Sequence, residues 1–253
     1  MGGLKKMSVS IEESFRLPSE GKVYDKEINP DITLRSMTVL EEKKRLGNTN
    51  NQFKLLSSVI DDCIVNKDKN FSSYDLTLGD FQYLLFKLRT VTYGNLYNIT
   101  LRCPICGKVF KHVHDLDSLE EIRYEEGMED TLSITLPKSG DTIKLKLLTP
   151  RMSDMIENRC KEISEKNPDY EGDPAYIQTL MAVIDTVNGE NLNDAKKQKY
   201  VEKMVMADAN YLSQSADKIK LGVNTHCKAE CPSCKQTFPF LLPFTSEFLG
   251  PTI

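Results

Sequence analysis

The spacing of apolar side chains divides the chain into helical and extended stretches. After Asn51, the residues Phe53, Leu56, Ile60 and Ile64 recur at intervals of three and four positions. This interval places the four side chains on one face of an α-helix. The sequence therefore predicts an amphipathic helix in this part of the chain.

The other predicted helices begin at a polar residue that can cap them. Thr38 and Glu41 have the spacing of a capping box, and Thr77 precedes Asp80 in the same way. Two later helices combine an N-cap residue with proline at the first helical position. The predicted spans are Thr38 to Gly47, Thr77 to Gly94, Thr149 to Lys166, Asp173 to Val187, Asn193 to Met206 and Asp208 to Lys220.

Alternation of apolar and polar residues predicts strands between these helices. Strands are expected at Tyr97–Arg102 and Lys108–Leu116, and a small antiparallel hairpin is expected from Leu132–Leu136 and Ile143–Leu147. The stretch 115–130 is densely acidic, which favours a solvated connector. A short strand is also indicated at Ile32–Leu34 within an otherwise irregular N-terminus.

These elements predict an α+β protein. Two short segments, one with Cys103 and Cys106 and one with Cys231 and Cys234, place a pair of thiols on a tight turn, as in a zinc knuckle. Helical layers would be joined by two β-hairpin zinc knuckles at these turns, with the small antiparallel hairpin in addition. The predicted division has four segments: an extended N-terminal arm (1–36), a helical segment with the first knuckle (37–130), a β-hairpin and helical segment (131–222), and the second knuckle with an apolar C-terminal tail (223–253).

Composition narrows the class of protein. The chain has 253 residues, of which 40% are hydrophobic and 28% charged, as in ordinary globular proteins. Its net charge of −4 argues against a general nucleic-acid binder. No apolar stretch approaches the roughly 20 residues needed to cross a bilayer, and the N-terminus has no apolar signal core. We therefore expect no membrane insertion and a protein that is assembled in the cytoplasm.

Two segments share the pattern C-P-x-C-x-x-x-F and supply the main candidate chemistry. The first contains Cys103 and Cys106, and the second contains Cys231 and Cys234. Each pair of thiols on a tight turn is half of a tetrahedral Zn²⁺ site. The pattern predicts one structural Zn²⁺ per chain, held by all four cysteines. Such a site leaves no position for water or substrate, so it indicates structure and not catalysis.

Other arrangements of these ligands stay open. Two separate sites would use Cys103 and Cys106 with His112 and His114, and Cys231 and Cys234 with His226 or Cys227. A redox-active C-x-x-C and reduced thiols without metal are further alternatives. Of the seven cysteines, Cys63 and Cys160 are predicted to be buried core residues, and Cys227 a buried or idle thiol.

No other motif indicates catalysis. The sequence contains no glycine-rich phosphate loop, no H-E-x-x-H and no nucleophile elbow. Its carboxylates form no distinctive pair, and its three histidines all lie near the proposed metal turns. These observations predict a protein without enzymatic activity and without a small-molecule substrate.

The chain resembles a family of baseplate hub and hub-assembly proteins from bacteriophages with contractile tails. The matching segments are FRLPSEGKVYDKEINPDITLRSMTVLEEKKRLG, YDLTLGDFQYLLFKLR, CPICGKVF, EGDPAYIQTL and CPSCKQTFPFLLPFTSEF. The resemblance implies a structural or assembly role in the virion tail baseplate, built in the cytoplasm of an infected bacterium. It also implies zinc-stabilised folding, contacts with other tail proteins and no catalysis. Lys235 departs from the glycine that is common after the second cysteine of such a turn.

Partner contacts are expected at the chain ends. The extended residues 1–36 and the apolar tail Phe238–Phe248 are the predicted interface elements. The rival function is a zinc-ribbon nucleic-acid-binding accessory protein, because basic side chains cluster near both knuckles: Arg102, Lys108, Lys111, Lys228 and Lys235. The acidic net charge and the absence of tryptophan count against this rival.

Overall fold

The computed structural model describes residues 11–47, 49–128, 132–167, 172–242 and 246–251. Within these ranges the predicted mixed α+β class is confirmed. The helices are α1 (Val39–Arg45), α2 (Gln52–Cys63), α3 (Leu78–Tyr93), α4 (Pro150–Lys166), α5 (Pro174–Val183), α6 (Asp194–Glu202) and α7 (Met206–Lys218). Among the described helices, none combines the length and the apolar character needed to span a bilayer.

All strand pairs are antiparallel, and most are local hairpins. The strands are β1 (Glu12–Arg16), β2 (Asp31–Arg35), β3 (Leu96–Arg102), β4 (Val109–Asp115), β5 (Glu121–Ile122), β6 (Ser133–Thr135), β7 (Thr142–Leu145), β8 (Ile184–Val187), β9 (Gly222–Val223), β10 (His226–Glu230) and β11 (Thr237–Leu241). Two-stranded sheets join β1 with β2, β3 with β4, β5 with β9 and β10 with β11, and β6, β7 and β8 form a three-stranded sheet.

Buried side chains form two main hydrophobic clusters. The first surrounds α3, whose Leu84, Leu85 and Leu88 are almost completely buried. The second contains buried residues of the β6–β7–β8 sheet and of the helices α5, α6 and α7, among them Leu180 and Leu212. Burial of apolar surface on this scale is the main source of folding free energy. The second cluster takes its residues from between 132 and 219, whereas those of the first come from 15–119 and 223–249, so the second is inserted in sequence within the first.

Close backbone contacts connect the two clusters. The Leu78 N–H donates to the Leu148 carbonyl at 2.8 Å. A side chain at Gly79 would place its Cβ only 2.2 Å from the Leu221 carbonyl oxygen, so this approach requires glycine. The buried Asp154 carboxylate of α4 accepts the backbone N–H of Phe53 at 3.2 Å, which caps α2 from a distant helix.

A buried carboxylate joins two of the sequence segments that carry the family resemblance, FRLPSEGKVYDKEINPDITLRSMTVLEEKKRLG and YDLTLGDFQYLLFKLR. Asp80 lies in the first turn of α3 and is fully buried. It accepts the Ser19 backbone N–H at 3.0 Å, the Ser19 hydroxyl, and the Tyr24 hydroxyl at 2.5 Å. The L-P-S-x-G and D-L-T-L-G-D-F segments therefore form one structural unit at the start of α3.

The predicted helix from Asp173 to Val187 was wrong at its C-terminal end. Helix α5 ends at Val183, and the next four residues form β8. Ile184 pairs with Leu145, and Val187 pairs with Ile143 of β7. Branched side chains fit a pleated sheet better than a helix, and the predicted hairpin supplied the edge on which they pair.

The acidic stretch 115–130 was predicted to be a solvated connector, and its described residues up to Met128 are more ordered than that. Leu116 is fully buried. Glu121 lies in β5 and forms an ion pair with the Lys87 ammonium at 2.9 Å. Residues 129 and 130 lie outside the described residues. The largely buried ammonium of Lys87 offsets the charge of Glu121, which explains why this part of the acidic segment can lie against the core.

The structure corrects the proposed interface for the buried side chains of the C-terminal tail, and the interface at residues 1–36 stays a prediction. Phe248 and Leu249 are fully buried in the first cluster, and Leu242 is 1% exposed. Residues 11–36 form the β1–β2 hairpin, which buries Leu17 and Leu34 completely. Residues 1–10 and 243–245 lie outside the described residues. The apolar tail therefore contributes to the core and offers no docking surface through these side chains.

The two cysteine-bearing hairpins do not link the two helical layers in the predicted way. Tyr97 of β3 and Cys227 of β10 both belong to the first hydrophobic cluster, whereas the buried residues of the second cluster come from residues 136–212. Both hairpins therefore pack against the first hydrophobic cluster. The four-segment division of the chain stays a prediction.

The capping box of α1 gives a pH-dependent contribution to stability. Burial by itself would raise the pKa of Glu41, but hydrogen bonds from Arg35 and Thr38 outweigh this effect and lower the pKa to about 2. The folded-state pKa lies below the ordinary value of 4.5. Stability from Glu41 is therefore present above that value and decreases as the pH falls through it towards 2.

We expect Glu41→Gln to remove this dependence. The stability advantage of the wild type over the variant should shrink by roughly 1 kcal/mol between about pH 5.5 and about pH 3.5. Urea unfolding at both pH values measures the difference. Glu162→Gln, on the exposed face of α4, is the control and should show a much smaller change. An equal pH dependence in wild type and Glu41→Gln would contradict the assignment.

Candidate metal centre

The four predicted cysteine ligands occupy equivalent positions in two hairpins. Cys103 directly follows β3, and Cys231 directly follows β10. In the first turn the Cys103 N–H donates to the Lys108 carbonyl at 2.9 Å. In the second turn the Cys231 N–H donates to the Gln236 carbonyl at 3.0 Å. The repeated sequence pattern thus corresponds to a repeated backbone structure.

The residue after the second cysteine has a left-handed backbone in both turns. Gly107 has φ of 73°, and Lys235 has φ of 61°. The N–H of Gly107 donates to the Cys103 carbonyl at 3.0 Å, and the N–H of Lys235 donates to the Cys231 carbonyl at 2.9 Å. A lysine in this region costs on the order of 1 kcal/mol relative to glycine. The departure from glycine at Lys235 therefore strains the second turn without changing its form.

The sulphur atoms of the two hairpins converge. The Sγ atoms of Cys103 and Cys234 lie 3.7 Å apart, and those of Cys106 and Cys231 lie 3.6 Å apart. All four sulphurs lie within 4.8 Å of one another. These separations are too long for disulfide bonds, whose sulphurs lie about 2 Å apart. They match the separation of about 3.8 Å that four Zn–S bonds of about 2.3 Å impose in a tetrahedron.

Apolar packing holds the hairpins against each other beneath the cluster. Cys103 and Cys231 share a small hydrophobic cluster with Leu101, Ala229 and Phe238. Cys231 is fully buried, whereas Cys106 is exposed at the outer side. The ring of Phe238 meets that of Phe110 edge-on, with centroids 6.3 Å apart. The shared pattern C-P-x-C-x-x-x-F places both rings at the same offset from their cysteines, and this equal offset is the sequence signal for the contact.

The two thiols of the second turn have different acidities. The backbone N–H of Cys234 has the largest effect on Cys231 and, together with that of Ser233, lowers the pKa of Cys231 to about 6. The backbone N–H of Gln236 lowers the pKa of Cys234, but burial and the three neighbouring cysteines outweigh it and raise that pKa to about 12. Like charges this close cannot all form at neutral pH unless a cation lies among them.

Basic residues surround the cluster, as the sequence indicates. Arg102 and Lys108 are exposed next to the first turn. Lys235 in the second turn forms an exposed ion pair with Glu230 at 3.9 Å. Four thiolates and one Zn²⁺ carry a formal charge of −2, so the neighbouring cations would offset part of that charge.

The histidines proposed for two separate sites lie elsewhere. His112 and His114 share the inner face of β4 with ring centroids 5.8 Å apart, and both meet the ring of Phe240 edge-on. Burial lowers the pKa of both imidazoles. Among the described residues, the four cysteines are the group of three or more metal-ligating side chains whose donor atoms converge.

The remaining candidate residues also lie apart from the four converging cysteines. Cys227 is buried and its thiol donates to the Thr225 carbonyl at 3.5 Å, and Cys63 is fully buried, as predicted. Cys160 is only half-buried, contrary to the prediction, because α4 lies near the surface. His226 lines a cleft of about 430 Å³ between the two main hydrophobic clusters. Metal binding by the four clustered cysteines remains a prediction at this point.

The fold and the site define a mixed α+β protein with a closed cluster of four thiols that joins two β-hairpins. A family model described as T4 bacteriophage base plate protein matches residues 9–250. The chain therefore belongs to this family, which confirms the predicted relation to phage baseplate proteins. The same comparisons find no match among curated proteins or among solved structures.

Membership of this family implies a structural role in the phage baseplate. It also implies a location in the virion tail and contacts with other tail proteins. The thiol cluster is the feature of the chain that could hold a metal ion in support of that role.

Proposed function

We propose that this chain is a non-enzymatic structural or assembly component of a contractile bacteriophage tail baseplate, in which one Zn²⁺ joins the two cysteine-bearing hairpins. The observation that carries the proposal is the convergence of four sulphurs from two distant sequence segments within 4.8 Å. Cys103, Cys106, Cys231 and Cys234 would be the four ligands. The long chain segment between Cys106 and Cys231 would then be closed by the metal.

The chemistry of the donor set supports Zn²⁺. Four thiolates in a tetrahedral arrangement are the usual ligands of structural zinc. A bound cation would favour ionisation of the thiols, because each thiolate gains an attraction to the metal. With all four positions taken by protein, the metal would have no free site for a substrate. Its contribution would be to hold the hairpins together.

The family relation supports the remaining parts of the proposal. Other proteins of the phage tail would be the partners, and the protein would be assembled in the cytoplasm of the infected bacterium. A role without catalysis agrees with a closed thiol cluster and with a sequence that lacks recognised catalytic motifs. No small-molecule substrate, nucleic acid or membrane is part of the proposal.

Zinc analysis of the purified protein tests the proposal. We expect one zinc per chain in protein purified without chelator, and loss of that zinc in both Cys103→Ser and Cys231→Ser. Elemental analysis on protein of known concentration gives the stoichiometry. Cys160→Ser is the control, because Cys160 lies on α4 outside the cluster.

Other results would favour the alternatives to a single structural zinc and a baseplate role. Two zinc ions, with each variant losing one, would indicate two independent sites. Absence of zinc together with rapid alkylation of one thiol would favour redox chemistry. Salt-dependent binding of DNA or RNA would favour the nucleic-acid-binding alternative.

A further inference from the structure

The outer face of the hairpin β3–β4 combines exposed apolar and basic side chains. Leu96, Val109 and Val113 point away from the core, with 58%, 56% and 54% of their surfaces exposed. Lys111 lies between the two valines on the same face of β4 and is also exposed. We call this surface, formed by alternate residues of β3 and β4, the outer hairpin face. Its members are Leu96, Asn98, Thr100, Arg102, Val109, Lys111, Val113 and Asp115.

The hairpin also offers an open strand edge. Among the described residues, β3 and β4 pair only with each other. The inward-facing Tyr97 and Leu101 of β3 are buried, whereas Phe110 and His112 of β4 are only half-buried. Strand β4 is therefore the less buried of the two strands. An unpaired edge seven residues long is a ready template for pairing with another strand.

The charge of this face differs from the charge of the whole chain. Arg102 and Lys111 on this face, and Lys108 in the turn beside it, are exposed on a chain with a net charge of −4. In the described parts of the chain, no ion pair engages any of these three cations. Asp115, at the far end of the face, already accepts a hydrogen bond from Asn95 at 3.0 Å. The face is thus complementary to an acidic partner.

We propose that the free edge of β4 binds an extended, acidic segment of another tail protein, which adds to the hairpin as a third strand. Alternate side chains of that segment would lie on the outer hairpin face beside Val109, Lys111 and Val113. The partner would therefore present apolar, acidic and apolar side chains at alternate positions. This inference rests on the proposed function, because it assumes that the chain assembles with other tail proteins.

Two other occupants fit the face less well. Single-stranded nucleic acid binds to surfaces that combine basic and aromatic side chains, and the outer hairpin face contains no aromatic ring. A second copy of this chain, paired antiparallel through the centre of β4 about a two-fold axis, would place the Lys111 side chains of both copies close together near that axis. An acidic protein strand would cover the exposed valines, pair with the cations and form hydrogen bonds with the backbone edge of β4.

Site-specific crosslinking in infected cells tests this inference. The full chain, with the photoreactive residue p-benzoylphenylalanine in place of Val113, would complement a phage that lacks the gene. We expect a crosslink to an acidic, extended segment of another tail protein in purified baseplates or their subassemblies. Adding Lys111→Glu should lower the crosslink yield and the incorporation of the chain by about tenfold. Mass spectrometry identifies the crosslinked peptide.

The matched control is Lys199→Glu, which makes the same charge change at an exposed position of α6 and should leave both readouts unchanged. Equal zinc content and equal thermal unfolding of both variants would show that folding is intact. A crosslink to nucleic acid or to a second copy, no crosslink, or normal incorporation of Lys111→Glu would overturn the inference alone. Absence of the wild-type chain from all subassemblies would instead overturn the proposed function.

Discussion

Replacing Cys231 with serine is expected to lower the free energy of unfolding by about 3–5 kcal/mol and to abolish zinc binding. Cys231 is fully buried between the hairpins, and its sulphur lies 3.6 Å from that of Cys106. Removing one ligand would leave the other thiols without the cation that stabilises them. Because the metal would bind the folded chain and not the unfolded one, its loss would also remove its binding free energy from the free energy of unfolding.

The measurement is urea unfolding followed by circular dichroism, since the chain contains no tryptophan. A strong zinc chelator should destabilise the wild-type protein and leave Cys231→Ser unaffected. Cys227→Ser is the matched control, because Cys227 is a buried cysteine of the adjacent strand that lies outside the cluster. Metal stabilisation would be contradicted if both serine variants lost the same free energy of unfolding and the chelator had no effect on the wild type. The loss would then come from placing a serine hydroxyl at a buried cysteine position.

Arg89→Met is expected to lower the free energy of unfolding by about 3 kcal/mol and to release the C-terminal segment 246–251 from the core. Arg89 is fully buried in α3. Its guanidinium donates to the Phe248 carbonyl at 2.9 Å and to the Gly250 carbonyl at 2.6 Å. It also lies 4.7 Å from the centre of the Tyr97 ring. Methionine fills a similar volume but supplies no donor and no charge.

Hydrogen exchange distinguishes release of this segment from a general loss of stability. The backbone amides of residues 246–251 should lose protection in Arg89→Met under conditions where the rest of α3 remains protected. Arg159→Met is the control, because Arg159 is exposed on α4 and its ion pair with Glu162 is a surface pair. Unchanged protection of the C-terminal segment, with a loss below about 0.5 kcal/mol, would contradict the role given to Arg89.

Local signals identified much of the secondary structure. The cap residues Thr38 and Thr149 begin α1 and α4 as predicted, and the helix that follows Thr77 ends at Gly94. Capping and turn formation depend on residues only a few positions apart, so the sequence contains the necessary information. The repeated C-P-x-C pattern likewise predicted two equivalent turns, and the structure brings their four cysteines together.

Long-range contacts account for the elements that the sequence did not reveal. The segment Ile184–Val187 follows an apolar helix without a break signal, and its pairing with β7 made it a strand. The apolar sequence of the tail suggested a docking segment, but in the folded protein Arg89 donates to the Phe248 carbonyl and the Tyr97 ring packs against the Phe248 ring. Neither outcome depends on the local sequence alone, because strand pairing and burial are set by residues far apart in the chain.

By itself, the sequence determined the mixed class of the fold, the start of several helices, the relation to phage baseplate proteins and the four cysteines that would share a metal. Only the tertiary structure decided that both hairpins pack against the first hydrophobic cluster and that His112 and His114 lie apart from the thiols. It also decided which apolar residues remain exposed, on the outer hairpin face. The reason is physical: periodicity reports which side of an element is apolar, whereas burial depends on what packs against that side.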